Sequence, residues 1–159
     1  MFWAGIRHGV TSELTLCYGD PEAKKKGVTP KVYKEILEEE LPKLMEPSII
    51  FMQDNASIHT SKLLKEWLKE MRFEVLEWPA YSPDLNPIEN LWGLLKRKIV
   101  ERYPELGALP RSEASLKKLC DAATTVWLDF GQQLVDDLID SMPRRIQAVI
   151  QSKGWYTKY

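Results

Sequence analysis

Ser48-Ile49-Ile50-Phe51-Met52-Gln53-Asp54-Asn55 couples an apolar run to an acid and an amide. Pro47 resets the chain just before it, and the run is short for a helix, so residues 48–53 read as a buried strand. Asp54 then projects its carboxylate from the strand tip, where ligand sites of open α/β sheets gather. Upstream, Thr29-Pro30 supplies a helix N-cap with proline at the first helical position; Val32, Tyr33, Ile36, Leu37, Leu41 and Leu44 follow with helical period. Pro42 falls late in that helix, where it kinks the helix or splits off a last turn. Downstream, His59-Thr60-Ser61 opens a second helix carrying Leu63, Leu64, Trp67, Leu68 and Met71. Phe73-Glu74-Val75-Leu76-Glu77-Trp78 then alternates like a strand with one buried face.

Toward the start, Phe2 to Arg7 and Leu14 to Tyr18 read as strands around a polar turn, His8-Gly9-Val10-Thr11-Ser12-Glu13. Toward the end, prolines at 79, 83 and 87 stiffen a segment unsuited to helix or sheet. Asn86-Pro87 starts a helix with Ile88, Leu91, Trp92, Leu95 and Ile99 on its buried side. From Ser112 the chain reads as helical, with breaks near Gly131 and Met142-Pro143. This alternation predicts an α/β fold over residues 1–159, a mixed sheet with flanking helices and a helical C-terminal tail.

With 159 residues, 44% of them apolar and 28% charged, the chain is long enough to build a core. Its apolar runs are too short to cross a bilayer and its first residues lack a signal-peptide pattern, so no membrane association is expected. Cys17 and Cys120 are expected as free thiols. The net charge of -1 is unlike a free-standing DNA binder, which is usually basic. Lysines and arginines at 62, 65, 69 and 72, at 96–98 and 102, and at 144–145 are expected on solvated helix surfaces. The six tryptophans are expected in the core. His8, Cys17, His59 and Cys120 lack the paired spacing of a zinc site.

Asp54 and Glu89 have 34 residues between them in the chain, room for one helix and one strand. Two carboxylates on rigid supports suit divalent cations against phosphate oxygens. Each has a plainer reading. Asp-Asn after a strand makes a turn, and Glu89 three residues after Asn86 completes a capping box, worth roughly 0.5–2 kcal/mol. Lys96, seven residues beyond Glu89, returns to within about 20° of it on a helix; this suits phosphate beside a metal, or simply a solvated ion-pair face. Three prolines and two aromatics in Trp78–Pro87 make a loop stiffer than an ordinary turn needs.

Gln53-Asp54-Asn55-Ala56-Ser57-Ile58-His59, the stretch from Trp78-Pro79-Ala80-Tyr81-Ser82-Pro83-Asp84 through Glu89-Asn90-Leu91-Trp92, and Ser141-Met142-Pro143-Arg144-Arg145-Ile146-Gln147 strongly resemble Tc1-like transposases of the Tc1/mariner superfamily. Met1-Phe2-Trp3-Ala4-Gly5 resembles that family's second-strand region. The resemblance implies a ribonuclease H-like catalytic core with a DDE triad that cuts and rejoins DNA using Mg²⁺ or Mn²⁺. Asp54 matches the second acid and Glu89 the third; Lys96, His59 and Asn55 are candidates for DNA contact. The partners implied are DNA, both transposon ends and target, and a second copy in a homodimer, with the nucleus as location. The family's first catalytic Asp lies upstream of the match to Phe2-Trp3, as do its helix-turn-helix domains. Neither Glu13 nor Asp20 matches that acid. The expectation is therefore a partial catalytic domain lacking the first strand, with impaired strand cleavage and strand transfer. The alternatives are a catalytically inactive, transposase-derived module that binds DNA or protein, and another ribonuclease H-like nuclease.

Overall fold

The computed structural model describes residues 1–79 and 81–159; Ala80, within the proline-rich loop, lies outside them. In chain order the elements are β1 (Phe2–Trp3), β2 (Ile6–Arg7), β3 (Val10–Thr11), β4 (Thr15–Leu16), α1 (Pro30–Glu40), α2 (Lys62–Glu70), α3 (Ile88–Arg102), α4 (Glu113–Leu128), α5 (Gln132–Ile139) and α6 (Met142–Gln151). Short 3₁₀ turns occupy Leu41–Lys43, Pro83–Leu85 and Pro104–Ala108. The chain forms two compact units, Met1–Trp3 with Thr15–Ser82, and Ala4–Leu14 with Pro83–Tyr159.

The two strands expected near the start are four short ones. β1 pairs antiparallel with β4, Phe2 opposite Leu16, and β2 pairs antiparallel with β3, Ile6 opposite Thr11. Ala4-Gly5 on one side faces Ser12-Glu13-Leu14 on the other, an extra residue that breaks the ladder as a bulge does. Ser12 replaces the lost pairing: its N–H donates to the Gly5 carbonyl at 2.9 Å, and its Oγ accepts from the Gly5 N–H at 2.8 Å. β3 thus lies inside the expected polar turn, which tightens onto Gly9 at φ +76°, a conformation that suits glycine.

In the first unit, α1 begins as its sequence predicts. Thr29 Oγ1 accepts from the Val32 N–H at 3.4 Å, and Pro30 fills the first position. Pro42 ends the helix, and Leu41–Lys43 tightens into a 3₁₀ turn. Ser61 caps α2, whose buried side is Leu64, Trp67 and Leu68. Leu63 and Met71 remain exposed, Leu63 at the edge of that stripe and Met71 beyond the helix end. The α1 face adds Tyr33 and Leu37 to the buried residues, and α1 packs against α2.

The strands expected at 48–53 and 73–78 meet in one parallel bridge, Phe51 opposite Val75. The Phe51 N–H donates to the Glu74 carbonyl at 2.8 Å, and the Leu76 N–H to the Phe51 carbonyl at 2.9 Å. No third segment extends this pair among the described residues. Two strands alone, especially parallel ones, hold a ladder poorly, so Ile50, Val75 and Leu76 are exposed rather than core. Antiparallel and parallel pairing are both present, in short pieces.

In the second unit α3 packs on α4, burying Leu91 and Leu95 against Ala123, Val126 and Trp127. Trp92 and Trp127 stack with ring centroids 5.3 Å apart, and Trp127 Nε1–H donates to the Ser12 carbonyl at 2.9 Å. α5 packs on β2 and β3. The expected break near Met142-Pro143 comes just before it: Asp140 and Ser141 separate α5 from α6, and Pro143 sits harmlessly in the first turn of α6. Trp155 departs from the expected core placement at 73% exposed. Both cysteines are free, as expected. Among the described residues no helix is long and apolar enough to cross a membrane.

Candidate functional site

The first unit gathers Asp54, Asn55 and His59 in one loop. Asp54 Oδ1 accepts from the Ala56 N–H at 2.9 Å, closing the Asx turn that an Asp-Asn pair favours. The same oxygen meets His59 Nδ1 at 2.6 Å. Oδ2 carries neither bond, and the Asp54 side chain is 52% exposed while that of His59 is only 18% exposed. The plain turn reading therefore holds, with one oxygen orienting the acid. His59 thus partners the Asp54 carboxylate through Nδ1.

Behind the loop stands Tyr33 of α1. Its ring lies 4.4 Å from that of His59, and its hydroxyl donates to Gln53 Oε1 at 3.0 Å. Burial pushes the Tyr33 phenol far above its ordinary range, reinforced by the nearby Asp54 charge, so it stays a neutral donor. Asn55 Nδ2 donates to the Trp78 carbonyl at 2.6 Å, tying the acid-bearing loop to the entrance of the proline-rich segment. Tyr33 and Gln53 were not singled out in the sequence, where Tyr33 is one more member of an apolar helical stripe.

Glu89 and Lys96 belong to the second unit. Glu89 is exposed in the first turn of α3, and Lys96 is exposed two turns further along. An acid at a helix N-terminus is favoured by the helix dipole. The expected cap by Asn86 is absent: Pro87 occupies the cap position, and no side chain caps the helix. The turn closes through backbone instead, the Glu89 N–H donating to the Asn86 carbonyl at 3.1 Å.

That junction is held from α6. Arg145, expected on a solvated surface, is 1% exposed. Its Nε donates to Ser141 Oγ at 2.6 Å, its Nη1 to the Asp84 carbonyl at 2.7 Å, and its Nη2 to Asn90 Oδ1 at 2.7 Å. The guanidinium also lies 4.7 Å from the centroid of the Tyr159 ring. Helical period explains the first contact, since Ser141 lies one turn before Arg145; the two long-range contacts have no local signal. The other basic helix positions are exposed as expected, with Arg102 ion-paired to Asp129.

Two exposed carboxylates, one on an Asx turn and one on a helix start, are hard oxygen donors of the kind Mg²⁺ and Mn²⁺ take. Among the described residues no group of three or more His, Cys, Asp or Glu side chains is placed to hold a metal. The donor chemistry of each acid, taken by itself, fits such an ion.

A family model described as DDE superfamily endonuclease matches residues 20–109, more than half the chain, and both acids fall inside the match. The chain belongs to the DDE superfamily of endonucleases. Its relatives are Tc1/mariner transposases. The Tcb2 transposase of Caenorhabditis briggsae is 39% identical over 132 residues, covering 80% of this chain and 45% of that protein. The Tc1 transposase of Caenorhabditis elegans is 41% identical over 110 residues, covering 69% of this chain and 37% of that protein. The structure is similar to Mos1 in the mariner Mos1 paired end complex with Mg, with a TM-score of 0.66 and 26% identity over 92% of this chain and 40% of Mos1. The fold is thus α/β and ribonuclease H-like. The chain spans less than half the length of the relatives it matches.

Proposed function

We propose that this chain is the catalytic-core portion of a DNA transposase, in which Asp54 and Glu89 hold Mg²⁺ or Mn²⁺ for the cutting and joining of DNA strands. The observation that carries this reading is that the endonuclease match over residues 20–109 contains both acids. Divalent cations held there would supply Lewis-acid chemistry, activating an attacking oxygen and stabilising a leaving one. The chain's own part is to aim the ligands. His59 and the Ala56 N–H fix one oxygen of Asp54, Asn55 ties the loop to the Trp78 carbonyl, and Lys96 offers charge to a phosphate. With a net charge of -1 the chain by itself holds DNA weakly. Transposon ends and target DNA are the proposed substrates, in a homodimer acting in the nucleus. The paired-end assembly of Mos1 supports the pairing of ends by such a protein.

No residue within positions 1–159 matches the first acid of the triad, so we expect the chain to nick DNA slowly. The test is plasmid nicking in Mn²⁺. Residual nicking should disappear in both Asp54→Ala and Glu89→Ala; nicking that survives both substitutions would falsify the assignment. The lack of a three-carboxylate cluster among the described residues favours one competing reading, an inactive transposase-derived module that binds DNA or protein. That reading requires Asp54→Asn and Glu89→Gln to leave cation binding unchanged.

A further inference from the structure

Arg145 is the most deeply buried charged side chain among the described residues. It donates to neutral oxygens of Ser141, Asp84 and Asn90 and faces the Tyr159 ring. Burying a cation is costly unless its donors are all matched, and an apolar residue could fill the same volume. A planar guanidinium supplies something an apolar residue cannot, two fixed donor directions. Here those directions reach Asp84, at the head of the loop-to-helix junction, and Asn90, immediately after Glu89. A second tie reinforces the first, as Thr157 Oγ1 donates to Asp84 Oδ2 at 3.0 Å. Since α3 begins with no side-chain cap, these contacts reach the junction on both sides of Glu89.

We infer that Arg145 is a positioning residue for Glu89: its fork fixes the 84–90 junction so that the Glu89 carboxylate is preset to meet the divalent cation. The inference rests on the reading of Glu89 as a metal ligand. Arg145→Lys keeps the charge but cannot hold both ends of the junction, because an ammonium lacks the planar fork.

The test uses the whole chain and Mn²⁺ alone, with free Mn²⁺ followed by electron paramagnetic resonance under conditions where circular dichroism shows every variant folded. Glu89→Gln should weaken Mn²⁺ binding about 10-fold, and Arg145→Lys by a similar factor, as for other groups that orient metal ligands. In the Glu89→Gln background, Arg145→Lys should weaken binding no further, because residues that act through one another are not additive. Amide exchange at residues 88–90 should quicken in Arg145→Lys and stay unchanged across α2. If Arg145→Lys does not fold, Asn90→Ala, which removes a single bond, is put through the same measurements. A purely structural Arg145 lowers the unfolding midpoint and leaves Mn²⁺ affinity as it was; that result overturns the inference, as does a full further loss in the Glu89→Gln background. If Glu89→Gln itself binds Mn²⁺ like the parent chain, the metal reading fails and takes the inference with it, a pattern distinct from the failure of Arg145→Lys alone.

Discussion

Asp54 and Glu89 are both exposed acids, but the two units hold them by opposite means. Asp54 is oriented by partners two and five residues along the chain, the Ala56 N–H and His59. Around Glu89 the helix start is uncapped, and its flanking residues are gripped by Arg145 across 61 and 55 residues. A local device forms wherever its few residues are present and can be removed cheaply. A long-range clasp gives a more rigid site, but its stability is tied to that of the whole unit.

The sharpest way to break this comparison is Arg145→Met. The substitution removes three hydrogen bonds from a charged donor and takes a partner from the Asp84 carbonyl and Asn90 Oδ1, while Ser141 Oγ keeps its bond to the Leu138 carbonyl. We expect a loss of about 3 kcal/mol in urea unfolding, with proteolysis of the 83–90 segment accelerated. A loss under about 1 kcal/mol would mean that the clasp is loose and the contrast between the units is wrong.

In the first unit the corresponding losses are smaller. Tyr33→Phe removes the hydroxyl that supports Gln53 while keeping the ring against His59. It should cost about 1 kcal/mol, the ordinary net worth of one hydrogen bond. His59→Ala removes the partner of a half-exposed Asp54 and should cost about 0.5 kcal/mol, near the value of other partly solvated pairs. Its larger effect should be on the local order of the loop, visible as faster amide exchange at Ala56. Equal losses for His59→Ala and Arg145→Met would contradict the division into local and long-range support.

The same division explains what the sequence made legible. Thr29-Pro30 and Ser61 announce helix starts because capping is a matter of three or four consecutive residues, and both caps form. The Asx turn at Asp54 was readable for the same reason. The run 48–53 shows an appetite for burial but names no partner, and among the described residues only Phe51 finds a strand partner, at Val75. The bulge that splits the first hairpin depends on the Ser12 hydroxyl replacing a backbone group, which alternation of residue types does not encode. Arg144 and Arg145 are neighbours of identical chemistry, and only the tertiary fold separates the buried one from its partner. The motifs single out Asp54 and Glu89 as candidates; the scaffold beneath Glu89 has no such local signal.

The smallest expected effect sets two exposed carboxylates against each other. Asp20, in the first unit, is held below its ordinary range by the Glu22 N–H and the Thr29 hydroxyl, two and nine residues away. Asp136, in the second, is lowered by the Gly9 N–H, which reaches it across 127 residues, and by Gln132. A carboxyl whose folded pKa is depressed adds stability above its ordinary pKa, near 3.9, and loses it as pH falls through the lower folded value. Asp20→Asn and Asp136→Asn should therefore lower stability at neutral pH and match the parent chain in strong acid. Both differences should be smaller than that of His59→Ala, since these groups are exposed and screened. Only Asp136→Asn should also loosen a distant element, the Gly9 turn between β2 and β3, seen as faster exchange of the Gly9 amide. If Asp20→Asn disturbs residues equally far from it in sequence, support in the first unit is not local, and the contrast between the two acids dissolves.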